Sequence, residues 1–168
     1  MNKEAKKLVR LLEKAEVDKA LEHAAKMQDK NLAAEILGDF AVPVAKNLYD
    51  YETAEQLLKT AASLNPKDAV TFFNLGVLYT EPGFFIRDEN KFIEAEKAYI
   101  KAIKIRPDYL EAHYNLALFY HFLGRDDEAE LEYAVFSKLC DDTEMADALK
   151  KILSKKIRKI DLKKYLGV

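Results

Sequence analysis

Apolar residues recur at spacings of three and four along almost the whole chain, a pattern typical of successive amphipathic helices. Pro66 and Pro107 predict helix ends, because the residue before a proline avoids the helical conformation. An acidic residue follows each proline closely, Asp68 and Asp108, and suits the first turn of a new helix. The turn at 124–127 predicts another helix that starts with acidic residues. The chain should therefore be a series of short helices joined by tight turns.

Two stretches share one residue pattern. The first reads Phe72-x-x-Leu75-Gly76-x-x-Tyr79, then Ala95-x-x-x-Tyr99-x-x-Ala102 and Pro107. The second reads His113-x-x-Leu116-Ala117-x-x-Tyr120, then Ala129-x-x-x-Tyr133, and closes at Asp141 where a proline would stand. This pattern resembles the tetratricopeptide repeat, a helix–turn–helix unit of about 34 residues. The resemblance implies an all-α fold, a right-handed α-solenoid of about four such helix pairs plus a C-terminal capping helix.

The repeat period divides the chain into units within a single domain, 1–168. The units are 1–34, which is weak, 35–68, 69–109, which carries about seven inserted residues, and 110–143. Pro43 lies inside the first helix of the second unit and should kink or shorten that helix. Residues 144–168 place apolar side chains at helical spacing on a lysine-rich background, as expected for an amphipathic capping helix.

Composition restricts the class of protein. The chain has 168 residues, is 49% hydrophobic and carries a net charge of −2, so nucleic-acid binding by the whole molecule is not indicated. Its one cysteine, Cys140, excludes an intrachain disulfide and fits a reducing compartment. No apolar run has the length of a signal peptide core or a membrane span. We therefore expect a cytoplasmic protein without a membrane span.

No catalytic or metal-binding set is readable. His113 and His121 lie eight residues apart, about two helical turns, which is too far for a shared metal. His113 stands where the family has a bulky packing residue. Cys140 has no second thiol or nearby histidine in the sequence to complete a nucleophile or metal set. We expect no enzyme, no cofactor and no metal site.

The resemblance places the binding surface on the first helix of each unit, which lines the concave groove in this family. The groove residues expected from the clear repeats are Val70, Phe73, Asn74 and Val77 from one helix, and Tyr114, Asn115, Leu118, His121 and Phe122 from the next. Asn74 and Asn115 would bond the backbone of a ligand, and His121 would add mild pH sensitivity. The predicted function is a non-catalytic, adaptor, assembly or co-chaperone-like module that binds an apolar or amphipathic peptide of a protein partner.

The best-known ligand of this family, the acidic tail of a heat-shock chaperone, is disfavoured. Family members that bind it use lysines, arginines and asparagines to clamp two carboxylates. Here the basic places hold Phe73, Val70, Tyr114 and Glu111, so a carboxylate would find no cation.

Several alternatives stay open. The apolar groove residues could pack between neighbouring helices, or the chain's own tail could fill the groove. Residues 150–168 carry a net charge of +7, so this tail could instead bind nucleic acid or another acidic surface. A self-associating scaffold, hence a homo-oligomer, is a further possibility. The inserted loop around Phe84 and Phe85 could meet a partner or tuck against its own turn.

Overall fold

The computed structural model describes residues 1–81 and 90–155, and these residues form helices and no strand. The helices are α1 (Lys3–Glu13), α2 (Val17–Lys26), α3 (Lys30–Leu48), α4 (Tyr51–Leu64), α5 (Ala69–Thr80), α6 (Asn90–Ile105), α7 (Leu110–Phe122), α8 (Asp126–Leu139) and α9 (Thr143–Leu153). The predicted all-α class is confirmed.

Successive helices pair as a helical repeat requires. Helix α1 packs on α2, α3 on α4, α5 on α6 and α7 on α8. The chain divides into two compact units, residues 1–105 with α1 to α6 and residues 106–168, whose described part holds α7 to α9. The assignment of the whole chain to a single domain stays a prediction.

The helix starts follow the capping chemistry of the sequence in some places only. The side chain of Asp68 accepts hydrogen bonds from the backbone N–H groups of Val70 and Thr71, both at 3.1 Å, so it caps α5 as expected. Asp108 does not cap α7, because Tyr109 occupies the cap position and makes no side-chain cap bond. An acidic side chain therefore bonds the first backbone N–H groups of a helix only when it stands at the cap position, and a shift of one residue removes these bonds.

The second helix pair begins before the predicted boundary between residues 34 and 35. Asp29 accepts a hydrogen bond from the backbone N–H of Leu32 at 3.0 Å and starts α3 at Lys30. The helix also continues through Pro43 to Leu48, so this proline does not shorten it as expected. The start of α3 is therefore set by the hydrogen bond from its capping residue, Asp29, and does not follow the repeat period.

A partly buried network ties three helices of the first unit together. Glu55 of α4 accepts hydrogen bonds from Lys91 of α6 at 2.9 and 3.0 Å and from the Tyr79 hydroxyl of α5 at 2.9 Å. Lys59 pairs with the same carboxylate at 2.7 Å. Burial alone would raise the pKa of Glu55, but the bonds from Lys59, Lys91 and Tyr79 outweigh it and lower that pKa. The network fixes the first turn of α6 against α4 and α5.

Candidate peptide-binding surfaces

The face of α5 opens onto a cavity of about 270 Å³ that it shares with α3. Two of the expected groove residues, Val70 and Asn74, lie on its wall. The wall from α3 includes Asn31, Glu35 and Asp39, and Asp68, the cap of α5, also lines the cavity. We call this space the α3–α5 cavity. It lies wholly within the first unit.

The α3–α5 cavity is polar and acidic, in contrast to the apolar groove expected from the sequence. Glu35 and Asp39 are exposed at its edge, and the carboxylate of Asp68 is occupied by the N–H groups that it caps. Within residues 1–81 and 90–155, the side chains of Asn74, Glu35 and Asp39 have no hydrogen-bond partner. These groups are therefore available to a ligand.

Phe73 and Val77 of the same helix are half-buried rather than open to solvent. The ring of Phe73 lies against Tyr99 of α6, with ring centroids 6.1 Å apart. Such aromatic contacts stabilise a helix pair beyond the area that they bury. Phe73 therefore packs against a neighbouring helix, which is one of the alternatives that the sequence left open.

In the second unit, Tyr114 and Leu118 of α7 pack against a buried cluster of Ala117, Phe136 and Leu149. The Tyr114 and Phe136 rings are 5.3 Å apart. Leu149 comes from α9, so the C-terminal helix contributes to the packing on this side of α7. The two apolar side chains that should hold a ligand here thus have intramolecular partners.

The remaining predicted residues of the second unit differ in exposure. Asn115 and Phe122 are half-buried. His121 is only 3% exposed, so its expected place on an open groove face is corrected. Its Nδ1 lies 2.9 Å from the Asp126 carboxylate at the start of α8, and its Nε2 is buried without a hydrogen-bond partner in the described residues.

His113 has a structural role that its sequence position only partly predicts. Its ring is buried, and Nδ1 lies 2.6 Å from Glu132 while Nε2 lies 2.9 Å from the carbonyl oxygen of Pro107. Neutral imidazole carries one N–H, so both bonds are made as donors only by the protonated ring. The bond to Glu132 is the main reason that the pKa of His113 is raised, against the effect of burial.

Groups suited to chemistry are sparse in the described residues. Across residues 1–81 and 90–155, no cluster of three or more His, Cys, Asp or Glu side chains could hold a metal ion. None of the helices described has both the length and the apolar character that a membrane crossing requires. The loop around Phe84 and Phe85 and the basic tail from residue 156 lie outside the described residues.

Sequence reasoning missed Asn31 and Glu35 because it began the second unit at residue 35. The helix instead begins at Lys30, and residues 31, 35, 38 and 39 then follow the helical spacing of one face. The acidic residue Asp29 followed by helical periodicity was the signal that could have revealed this face.

Comparison with known proteins agrees with this architecture. Residues 86–124 match the TPR repeat family. A solved structure of a MamA mutant is similar to this chain, with a TM-score of 0.54 and 20% identity over 83% of this chain and 96% of that chain. A comparison with curated proteins found no match.

The family match confirms the resemblance to the tetratricopeptide repeat within residues 86–124, and the structural likeness confirms the helical-repeat fold. Repeats of this class are in general non-catalytic modules for protein–protein interaction. The fold and the repeat thus support an interaction or scaffold module.

Proposed function

We propose that the protein is a non-catalytic module that binds a segment of a protein partner in the α3–α5 cavity. The observation that carries this proposal is the shared lining of the cavity, where Val70 and Asn74 of α5 face Glu35 and Asp39 of α3. Its volume of about 270 Å³ is below the range of roughly 300–1,000 Å³ typical of small-molecule pockets. A single side chain of an extended partner suits this space better than a small molecule.

The polar groups define the partner's chemistry. The carboxylates of Glu35 and Asp39 would receive a lysine or arginine side chain through charge-assisted hydrogen bonds. The Asn74 amide can donate to and accept from the partner backbone. Val70, which is 44% exposed, provides an apolar edge for the stem of the basic side chain. The expected partner segment is therefore basic, whereas the sequence alone had suggested an apolar one.

The binding energy of this site is modest. A hydrogen bond contributes about 0.5–1.5 kcal/mol net, and a partly exposed ion pair contributes about 0.2–1 kcal/mol. Micromolar affinity corresponds to about −8 kcal/mol, so several such contacts must act together. Weak, reversible association is the expected behaviour.

A displayed library of random peptides tests the proposal. Peptides selected on the immobilised protein should be enriched in lysine and arginine, and their affinity should be measured by fluorescence anisotropy. The double substitution Glu35→Lys and Asp39→Lys should abolish binding, because it replaces attraction with repulsion. Glu13→Lys changes the charge at an exposed site of α1 outside the cavity and should leave binding intact.

Two asparagines at the same place in their repeats provide a matched pair. Asn74→Ala should weaken binding of the selected peptides by about fivefold, as expected for one lost hydrogen bond. Asn115→Ala should have no effect, because Asn115 lies on α7 and does not line the α3–α5 cavity. Selection of acidic or purely apolar peptides, or binding unaffected by the Glu35 and Asp39 changes, would contradict the proposal.

A further inference from the structure

A second surface of the first unit has the opposite charge. Helices α4, α5 and α6 enclose a cleft of about 370 Å³. Its floor includes the apolar or aromatic side chains of Phe72, Leu75 and Tyr79. Its rim carries Lys59, Lys97 and Lys101 with a single carboxylate, Glu94. We call it the lysine cleft. Of its charged residues, only Lys59 also belongs to the Glu55 network, and none lines the α3–α5 cavity.

The cations of the lysine cleft are accessible. Lys97 pairs with Glu94 at 2.8 Å, three residues earlier on the same helix. Both side chains are largely exposed, so the pair contributes little energy and Lys97 can exchange it for another partner. Lys101 places its ammonium 5.7 Å from the centre of the Phe72 ring. A ligand that combines carboxylates with an apolar side chain would match both the rim and the floor.

Helix α8 of the second unit carries such a combination on its outer face. The face consists of Asp127, Glu130, Leu131, Ala134, Val135 and Lys138, all exposed and spaced to lie on one side of the helix. Leu131 is 68% exposed and Val135 is 39% exposed. Asp127 and Glu130 have no ion-pair partner among the described residues. We call this surface the α8 stripe.

We propose that the α8 stripe of one copy of the protein docks into the lysine cleft of a second copy. Leu131 would cover the apolar floor of the cleft, Glu130 would meet Lys101, and Asp127 would lie one turn beyond it, towards Lys104. The charge pattern supports a specific partner rather than a general acidic one, since the single basic residue of the stripe, Lys138, has a matching carboxylate in Glu94. This proposal concerns surfaces other than the α3–α5 cavity and does not depend on it.

The spacing of the charges sets the direction of docking. Glu94 and Lys101 are about 10 Å apart along α6, and Glu130 and Lys138 are about 12 Å apart along α8, at 1.5 Å per residue. Both charge pairs match only when the two helices run antiparallel. A parallel arrangement would bring Lys138 towards Lys101.

The docking joins two different surfaces, so each pair of bound copies leaves one lysine cleft and one α8 stripe unused. Such heterologous contacts produce open chains of subunits unless the geometry closes a ring. Because one helix in one cleft is a small interface, association should be weak and should increase with concentration. High salt should weaken it by screening the charged pairs.

Sedimentation equilibrium over a range of concentrations tests this inference. The wild-type chain should show reversible association. Lys97→Glu with Lys101→Glu should weaken association by about a hundredfold or more, and Asp127→Lys with Glu130→Lys should do the same. A mixture of the two variants should recover association, because both contacts between unlike variants pair opposite charges while contacts between like variants pair like charges.

Charge-matched controls separate docking from general charge effects. Lys6→Glu with Lys7→Glu lies on α1 outside the lysine cleft, and Asp141→Lys with Asp147→Lys lies outside the α8 stripe. Both should associate like the wild type, and circular dichroism should show that every variant is folded. A wild-type chain that stays monomeric at all concentrations would overturn the inference. So would a mixture of the two charge-reversed variants that forms no complex.

Discussion

Helices α5 and α7 hold the same place in the repeated pattern, yet their surroundings differ. The position of Phe72 in the first unit is held by His113 in the second, and the position of Gly76 is held by Ala117. Phe72 lines the apolar floor of the lysine cleft. His113 is instead buried and bonded through both ring nitrogens. One repeat pattern thus supports two different local chemistries.

The two units also fill their helix-pair cores by different residues. In the first unit Gly76 admits the buried ring of Tyr99 against the α5 backbone, and a Cβ at Gly76 would lie 2.6 Å from two ring carbons. The second unit has the larger Ala117 and fills its core with Phe136, at the repeat position that is Ala102 in the first unit. A smaller residue on one helix is thus matched by a different large residue on the other, which preserves core volume.

The two units also differ in which helix flanks the repeat pair and therefore in which face is exposed. In the first unit, the polar α3–α5 cavity lies beside α5. In the second, α9 contributes Leu149 to the cluster that covers Tyr114 and Leu118. The comparison indicates that the repeat pattern fixes the helix pairs, while the following or preceding helix decides whether a face remains open.

The largest effect should come from removing the residue that fills the second core. Phe136 is fully buried, and Phe136→Ala should destabilise the second unit by about 3–5 kcal/mol through lost burial and a new cavity. Urea unfolding followed by circular dichroism measures this. Leu131→Ala on the same helix removes an exposed side chain and should change stability by no more than about 0.5 kcal/mol. Equal effects of the two substitutions would show that Phe136 is not a core anchor.

A smaller effect should follow from reversing the glycine and alanine of the two units. Gly76→Ala places a carbon within 2.6 Å of the Tyr99 ring, well inside normal contact of about 3.5–4.0 Å, and should cost about 1–3 kcal/mol. Ala117→Gly should cost about 1 kcal/mol, because glycine disfavours the helix interior. Thermal unfolding compares the two variants.

The cause of the Gly76 effect can be tested directly. Combining Gly76→Ala with Tyr99→Leu should cost less than the sum of the two single changes, because a smaller side chain at position 99 removes the clash. Strictly additive costs would mean that the glycine is required for another reason.

Much of the fold followed from the sequence because helical periodicity, prolines and acidic caps act locally. The end of α4 before Pro66, the cap at Asp68 and the turn into α8 are all set by neighbouring residues. The start of α3 was misplaced because the repeat period was followed instead of the cap at Asp29. Local chemistry was therefore a better guide to helix boundaries than the family period in the weak repeats.

The candidate sites were less predictable because they depend on contacts between distant residues. The sequence predicted Phe73 and Tyr114 on the groove face of their helices, but their packing on Tyr99 and Phe136 depends on how the paired helices meet. Similarly, Glu55 and Lys91 are 36 residues apart, and nothing local predicts their pairing. Apolar stripes are ambiguous between core and ligand surface until their neighbours are known.

The smallest expected effect is a pH dependence that only the second unit has at this repeat position. Glu132 raises the pKa of His113 above its ordinary value of 6.5, opposed by burial and assisted by the Pro107 carbonyl. For a basic group with a raised folded-state pKa, the stabilisation is fully present below the unfolded pKa and is lost as pH rises through the folded one. The melting temperature should therefore be higher at about pH 6 than at about pH 9 through this group.

Two substitutions make the pH effect specific to His113. His113→Phe introduces the residue that the first unit has at this position, so the part of the pH dependence that His113 contributes should vanish. Glu132→Gln keeps a side-chain acceptor but removes the charge, so it should reduce the dependence without abolishing the bond to Pro107. A melting profile that keeps the same pH slope in His113→Phe would assign the dependence to other groups. It would leave the two repeats alike in their response to pH at this position.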